Sequence, residues 1–272
     1  MRFLAGFLSV FLVCSSLSLG QHPIMHAESA LTLGRGNVQG GLAVEYLEKN
    51  AAPSPEYPQS VLRLMVMGWH FGVADNVNFD LDWLGGLSAA FQNGTHQFDW
   101  GDLTVSTKIT FFREKDGIPS IGVRTAVKLP STSYFPGRLG SNEMDFHSFI
   151  LVTKQFSSFE TRLNLRFSIV GHPEVVGVQD DVYGFETAIL TPLSDSFKLF
   201  AELDGFTGYE EHNNKLLSRF GGIYHDGNYD YGLYGSLRAA GDNRDFGNAF
   251  DASENWSIGF AVVRAFSLSI FN

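Results

Sequence analysis

The sequence predicts an all-β protein, an antiparallel up-and-down transmembrane β-barrel of about 12 strands. Three observations predict it. The first is the stretch Asp102 to Pro130, which shows a two-residue side-chain period twice around one turn. Leu103, Val105, Thr107, Ile109 and Phe111 share one face, opposite Thr104, Ser106, Lys108 and Thr110. After the Asp-Gly and Pro turn chemistry of Glu114 to Pro119, Ile121, Val123, Thr125, Val127 and Leu129 alternate against Gly122, Arg124, Ala126 and Lys128. That is a long hairpin, apolar on one side and polar on the other. The second is the connections between such strands, which alternate strictly between short and long. The third is that nothing beyond the leader approaches the about 20 apolar residues of a spanning helix, so any membrane role falls to strands.

In chain order, residues 1–20 begin with Arg2, run apolar from Phe3 to Val13 and end in Ser18-Leu19-Gly20. A positive start, a short apolar centre and a small-residue exit make a secretory signal peptide, with cleavage expected after Gly20 or, second, after Ala27. A lipoprotein signal on Cys14 is the alternative. It fits less well, because Val13 stands where a small residue is usual. Cys14 is the only cysteine, so a chain cleaved here has no disulfide, thiolate nucleophile or cysteine metal site. Residues 21–36 form an N-terminal extension, and 37–272 the barrel.

The first strand covers Val38 to Tyr46, with Leu42, Val44 and Tyr46 opposite Gln39, Ala43 and Glu45. The second is Val61 to Phe71, placing Leu62, Leu64 and Val66 against Arg63, Met65 and Met67. In the third, Val77, Phe79, Leu81 and Trp83 oppose Asn78, Asp80 and Asp82. The fourth and fifth are the hairpin above. The sixth, Asp145 to Lys154, is too uniformly apolar to assign faces. The seventh sets Thr161, Leu163, Leu165, Phe167 and Ile169 against Arg162, Asn164, Arg166 and Ser168. The eighth pairs Tyr183, Phe185 and Ile189 with Gly184, Glu186 and Ala188. The ninth pairs Phe197, Leu199, Ala201 and Leu203 with Lys198, Phe200, Glu202 and Asp204. Leu216 to Tyr224, Tyr229 to Arg238 and Trp256 to Phe266 complete the set, the last with Trp256, Ile258, Phe260 and Val262 apolar.

The long connections, 50–59, 88–100, 131–143, 172–181, 207–214 and 241–254, all follow odd-numbered strands and collect Pro, Asn, Asp and Gly. Outer-membrane barrels are built this way, with tight periplasmic turns and longer external loops. A soluble barrel or sandwich binding an apolar ligand is the rival. It has no reason to gather its long loops on one rim. Only closure satisfies every backbone group in lipid, so the last strand should pair with the first. Tyr46, Trp83, Tyr183, Tyr224, Tyr229 and Trp256 fall near strand ends, as interface belts do. Arg264, the one charge on an apolar face, lies close enough to the periplasmic end to snorkel.

Gly101-Asp102 with Lys108, the run Gly122 to Pro130, and Ala201-Glu202-Leu203-Asp204-Gly205 together resemble the bacterial outer-membrane β-barrel family of transporters assigned to a phenol-degradation (MetA) pathway. The likeness covers most of the chain after the leader. It implies a barrel in the outer membrane, folded by the barrel-assembly machinery and surrounded by outer-membrane lipids, that passes small molecules. Such families usually end on a terminal aromatic, matched here by Phe266, although the chain continues to Phe271-Asn272.

A net charge of −10 without a basic stripe argues against nucleic acid, and no residue pattern implies a cofactor. If polar faces point inward, the lumen holds Arg63, Lys108, Arg124, Lys128, Arg162, Arg166, Lys198, Arg219 and Arg238 with Glu45, Asp80, Asp82, Glu186, Glu202 and Asp204. Cations outnumber acids there. Either they pair across the interior and plug it, as in a structural or adhesive envelope barrel, or they line a mildly anion-preferring path. About twelve strands enclose more space than the eight-strand size that side chains fill, so a narrow, partly filled lumen is expected. No catalytic set stands out. His147 and Ser148 are adjacent and point to opposite faces, no GxSxG elbow exists, and His212 and His225 lack metal-ligand spacing. Asn93-Gly94-Thr95 matches a glycosylation acceptor, which means little in a bacterial envelope.

Overall fold

The computed structural model describes residues 24–49, 58–131, 143–171, 178–208, 215–241 and 254–268. The leader with Cys14, most of the long connections, His212 and the terminal Phe271-Asn272 lie outside them. The described strands are β1 (Asn37–Lys49), β2 (Pro58–Ala74), β3 (Val77–Trp83), β4 (Gly86–Phe91), β5 (His96–Trp100), β6 (Leu103–Phe112) and β7 (Ser120–Leu129). Then come β8 (Asp145–Gln155), β9 (Glu160–Gly171), β10 (Gln179–Ser194), β11 (Phe197–Thr207), β12 (Lys215–Asp226), β13 (Tyr229–Gly241) and β14 (Glu254–Ser267).

Twelve of them form a closed antiparallel ring in chain order, β1-β2-β3-β6 and onward to β14. Closure is made by β1, whose Val38 stands opposite Phe71 of β2 on one side and Phe266 of β14 on the other. Every strand therefore has two partners and the ring no free edge. Period two then sorts the side chains. Leu42, Val44, Phe79, Leu163, Leu165, Ile189, Leu199, Ile258 and Phe260 are exposed on the outer wall. Asp80, Lys108, Arg162, Asn164, Glu202 and Arg219 are buried within. Aromatic pairs ring both rims. Tyr46 with Trp256 (5.4 Å), Trp83 with Trp100 (5.6 Å) and Phe167 with Tyr183 (5.4 Å) mark the loop end. Tyr229 and Tyr231 (6.3 Å) mark the turn end, where the Arg264 guanidinium lies over the Tyr229 ring at 5.2 Å.

The remaining strands correct one expectation. Residues 88–100 were expected as a loop, yet β4 and β5 form a hairpin outside the ring, with β4 paired to the loop-side half of β2. Its turn is Asn93-Gly94, with Gly94 at φ 78° and the Asn93 side chain accepting from the Thr95 N–H at 2.9 Å. Asn-Gly between short strands is a hairpin signal. Here it closes an extension of the wall whose inner side packs Val61, Leu87, Ala89 and Phe91 together.

Strand β2 also departs from the expected faces. Met65 takes φ 56°, and the β1–β2 register slips between Ala43 and Glu45. The extra residue of this bulge swaps the faces beyond it. Val66, expected outside, therefore packs into the interior, and His70, two strand periods further on, is buried there.

Candidate functional site

The lumen is occupied by the chain's own N-terminal segment. Residues 24–36, expected as an extension, fold back through the turn end into the ring, and Ile24, Ala27, Glu28, Ser29 and Ala30 are buried. Gly36 donates its N–H to the Gly72 carbonyl at 2.8 Å, Leu33 N–H reaches Asn78 Oδ1 at 3.1 Å, and Thr32 donates to the Asp75 carbonyl at 2.9 Å. Higher up, Ala30 donates to Thr153 Oγ1 at 2.8 Å and accepts from Thr110 Oγ1 at 2.7 Å. The segment has no regular structure of its own, so the wall satisfies its backbone. The Glu202 carboxylate accepts from the N–H groups of His26 (3.0 Å) and Ala27 (3.0 Å), while Arg162 donates to the Ala27 carbonyl and Arg219 to the Ile24 carbonyl, both at 3.1 Å.

Apolar contacts complete the plug. Ile24, Met25 and Ala27 cluster with Ala43, Val66, Ala188, Leu190, Phe200, Ile223, Tyr234 and Ala261 of the wall, and Ala30 with Phe149 and Leu151. This settles the faces of β8. Asp145, His147, Phe149, Leu151 and Thr153 point inward, and the strand reads as uniformly apolar because two of its inward residues meet the plug rather than water.

The structure brings most of the sequence-predicted lumen residues together inside the ring, in two groups. Lys108, Arg124, Arg162, Glu202, Asp204 and Arg219 hold the plug. Lys108 Nζ is 3.7 Å from the Glu28 carboxylate, Arg124 Nη1 donates to the same carboxylate, and His26 Nδ1 lies 3.0 Å from Asp204. The others pair between strands. Arg63 meets Glu45 at 3.0 Å, Lys128 meets Asp145 at 2.5 Å and Asp102 at 3.5 Å, and Arg166 meets Glu186 at 3.6 Å. Asp80 bonds His70 at 3.0 Å, Asp82 accepts from Arg124 at 2.9 Å, and Arg238 donates to the Glu254 carbonyl at 2.9 Å. Lys198 stands apart, half-buried near the turn-side rim, in register with Pro192 and Ile223.

Above the plug a cavity of about 290 Å³ remains. Its floor is Met25, His26 and Glu28, and its wall includes Trp83, Phe149, His147, Arg124, Arg166 and Asp204. It is thus a vestibule with aromatic surfaces beside both charge signs, a composition suited to small amphipathic molecules.

Sequence reasoning missed His26, Glu28, His70, Lys215, Tyr234 and Glu254, all inside. The signal for the plug was present in the wall. Leu190, Phe200, Ile223 and Leu151 sit at inward positions that a wet pore has no use for. His147 Nδ1 lies 2.8 Å from Ser168 Oγ across the β8–β9 register, a pairing that comparison of neighbours along one strand does not reveal. Among the described residues, no cluster of histidines and acids has metal-binding geometry.

Comparison with known proteins adds a family and a fold. Residues 57–268 match the family model described as "Putative MetA-pathway of phenol degradation". Among solved structures, the chain is similar to the NanC porin (9% identity, TM-score 0.52), over 85% of this chain and 99% of that one. It is similar to the KdgM porin (9% identity, TM-score 0.52) over 83% and 99%, and to that porin in complex with disordered oligogalacturonate at TM-score 0.50, 9% identity and the same coverage. At such identity the likeness is one of fold. No curated protein matches the sequence.

Proposed function

The chain belongs to this phenol-degradation family, and on that premise we propose that it is an outer-membrane barrel admitting small molecules to an outer vestibule and passing them when residues 24–33 leave the lumen. In this reading a cleaved leader exports the chain, the barrel-assembly machinery folds it into outer-membrane lipid, and its role is passage rather than catalysis. The observation that carries the reading is the plug. It is held largely by wall side chains bonded to its backbone, contacts that water can replace one by one as the segment withdraws. The apolar outer wall and charged interior support a bilayer setting.

The test is single-channel conductance in planar bilayers of the full protein and of a variant lacking residues 24–33. Rare, brief openings are expected of the first and a sustained conductance of the second. A deletion variant that inserts but stays silent sinks the channel reading. It would favour a structural barrel, whose motivating observation is the same bonded plug. Charge reversal at Arg124 and Arg166 separates the two further, since ion selectivity shifts in a pore and only stability falls in a permanently closed barrel.

A further inference from the structure

We propose that Lys108 and Arg124 form an internal carboxylate site, that Glu28 occupies it as a built-in stand-in, and that a small organic monocarboxylate arriving through the vestibule competes with Glu28 for it. The inference rests on the reading of the lumen as a gated path and names what the gate answers to.

Most charged residues that face each other across neighbouring strands of this wall have opposite signs, as Glu45 with Arg63, Glu202 with Arg219, and Lys128 with Asp145 do, and a buried acidic pair, Glu186 with Asp204, is answered by Arg166 at 3.6 Å and His26 at 3.0 Å. Lys108 and Arg124 are a cationic pair, standing directly opposite each other in the β6–β7 ladder with both side chains buried on the inner face. Like charges in that position repel. The wall supplies a partial answer in Asp82, on Arg124 Nη2 at 2.9 Å, and Asn78 stands opposite Lys108 in β3. The Glu28 carboxylate, which reaches both cations at once, comes from outside the wall, on the plug.

Arg124 is also pre-aimed. Its Nε donates to Ser106 Oγ at 3.0 Å and its Nη2 to Asp82, leaving Nη1 directed at Glu28. A guanidinium so fixed presents a donor rather than searching for an acceptor, which favours a carboxylate over a diffuse anion. Both Arg124 and Glu28 line the vestibule. The Arg124 guanidinium lies 5.6 Å from the Phe149 ring centre, and Ala126 and His147 line the same cavity. A ligand with a carboxylate at one end and a flat apolar body at the other meets both needs. A cation finds Arg124 in its way, and a neutral analogue gains nothing from displacing Glu28. Once the ligand holds the two cations, the Glu28 side chain has lost its counter-charges and this contact of the plug is released.

The experiment uses benzoate as the probe, with benzylamine and benzyl alcohol as shape-matched controls, and titrates the full protein folded in detergent by calorimetry. Glu28→Gln removes the competing charge with little change of shape, so it is expected to bind benzoate at least tenfold more tightly than the unaltered protein. Glu28→Asp, with a shorter reach, should fall between them, and Glu28→Gln combined with Arg124→Gln should bind none. Heat-modifiable mobility confirms that each variant is folded. Benzoate binding that is equal with and without Glu28, absent from both, or retained without Arg124 overturns the site, as does equal binding of benzyl alcohol. Because the titration reads binding rather than flux, a protein that binds benzoate as expected but never conducts refutes the transport reading while supporting the site.

Discussion

Glu45 and Arg63 show what the interior asks of a single residue. They stand opposite each other in neighbouring strands, pair at 3.0 Å, and Tyr234 donates its hydroxyl to the second Glu45 oxygen at 3.0 Å. Taking two charges out of water is expensive, so such a pair gives little net stability, but removing one partner strands the other. Glu45→Gln is therefore expected to lower the stability of the folded barrel by about 3 kcal/mol, read from urea unfolding followed by heat-modifiable mobility. Glu45→Met with Arg63→Met should recover most of that loss, and a double variant as unstable as the single one would contradict this account. Both residues were legible in the sequence, because each alternates with an apolar neighbour and the period alone puts them inside. Glu28 was not legible. It lies in a segment without a period, and only the register of strands distant in sequence reveals that Lys108 and Arg124 need it.

Among the elements, the plug depends on glycines where it passes the wall. A Cβ on Gly72 would run into the Gly34 carbonyl, and one on Gly122 would lie 3.0 Å from the Ala30 carbonyl. At these points the segment lies so close to the strands that only hydrogen fits. Gly72→Ala leaves the outer wall of β2 untouched but forces the segment away from its anchor on the Gly72 carbonyl. If about 1.4 kcal/mol of the clash falls on the plugged state alone, the open fraction rises about tenfold. The check is single-channel open probability beside that of the unaltered protein, and an unchanged value would mean that the plug does not gate. Sequence legibility varied at this scale for physical reasons. Strands with one wet face and one lipid face announce themselves, as β6, β7 and β9 do. The sixth predicted strand, β8, hid its faces because Phe149 and Leu151 pack against Ala30, and the β4–β5 hairpin was hidden because short strands outside the ring need no long alternation. The bulge at Met65 reversed the faces beyond it, a change that no periodicity argument carried across it can follow.

For the molecule as a whole, the orientation of the two faces sets the solvent in which the barrel is stable. In water, an outer wall carrying Leu163, Leu165, Ile189, Leu233, Ile258 and Phe260 in exposed positions is an aggregation surface. In a bilayer the same wall is the favourable one, and the aromatic rims sit at the two interfaces. The ring contributes closure and the N-terminal segment fills it, so stability against lipid and occupancy of the lumen are separable properties. Leu165 tests the first. It lies midway along β9, opposite Ile150 and Phe185, with its side chain outward. Leu165→Arg is expected to cost about 2–4 kcal/mol of folding stability in phospholipid vesicles, as an arginine does near the midplane. The same substitution in detergent micelles, which deform around a charge, should cost less. The measurement is urea-dependent folding in each medium, with the rim position Tyr183→Arg as the comparison, where the interface lowers the cost to about 1 kcal/mol or below. Equal penalties at Leu165 and Tyr183 in vesicles would mean that the wall does not cross a hydrocarbon layer between its aromatic rims.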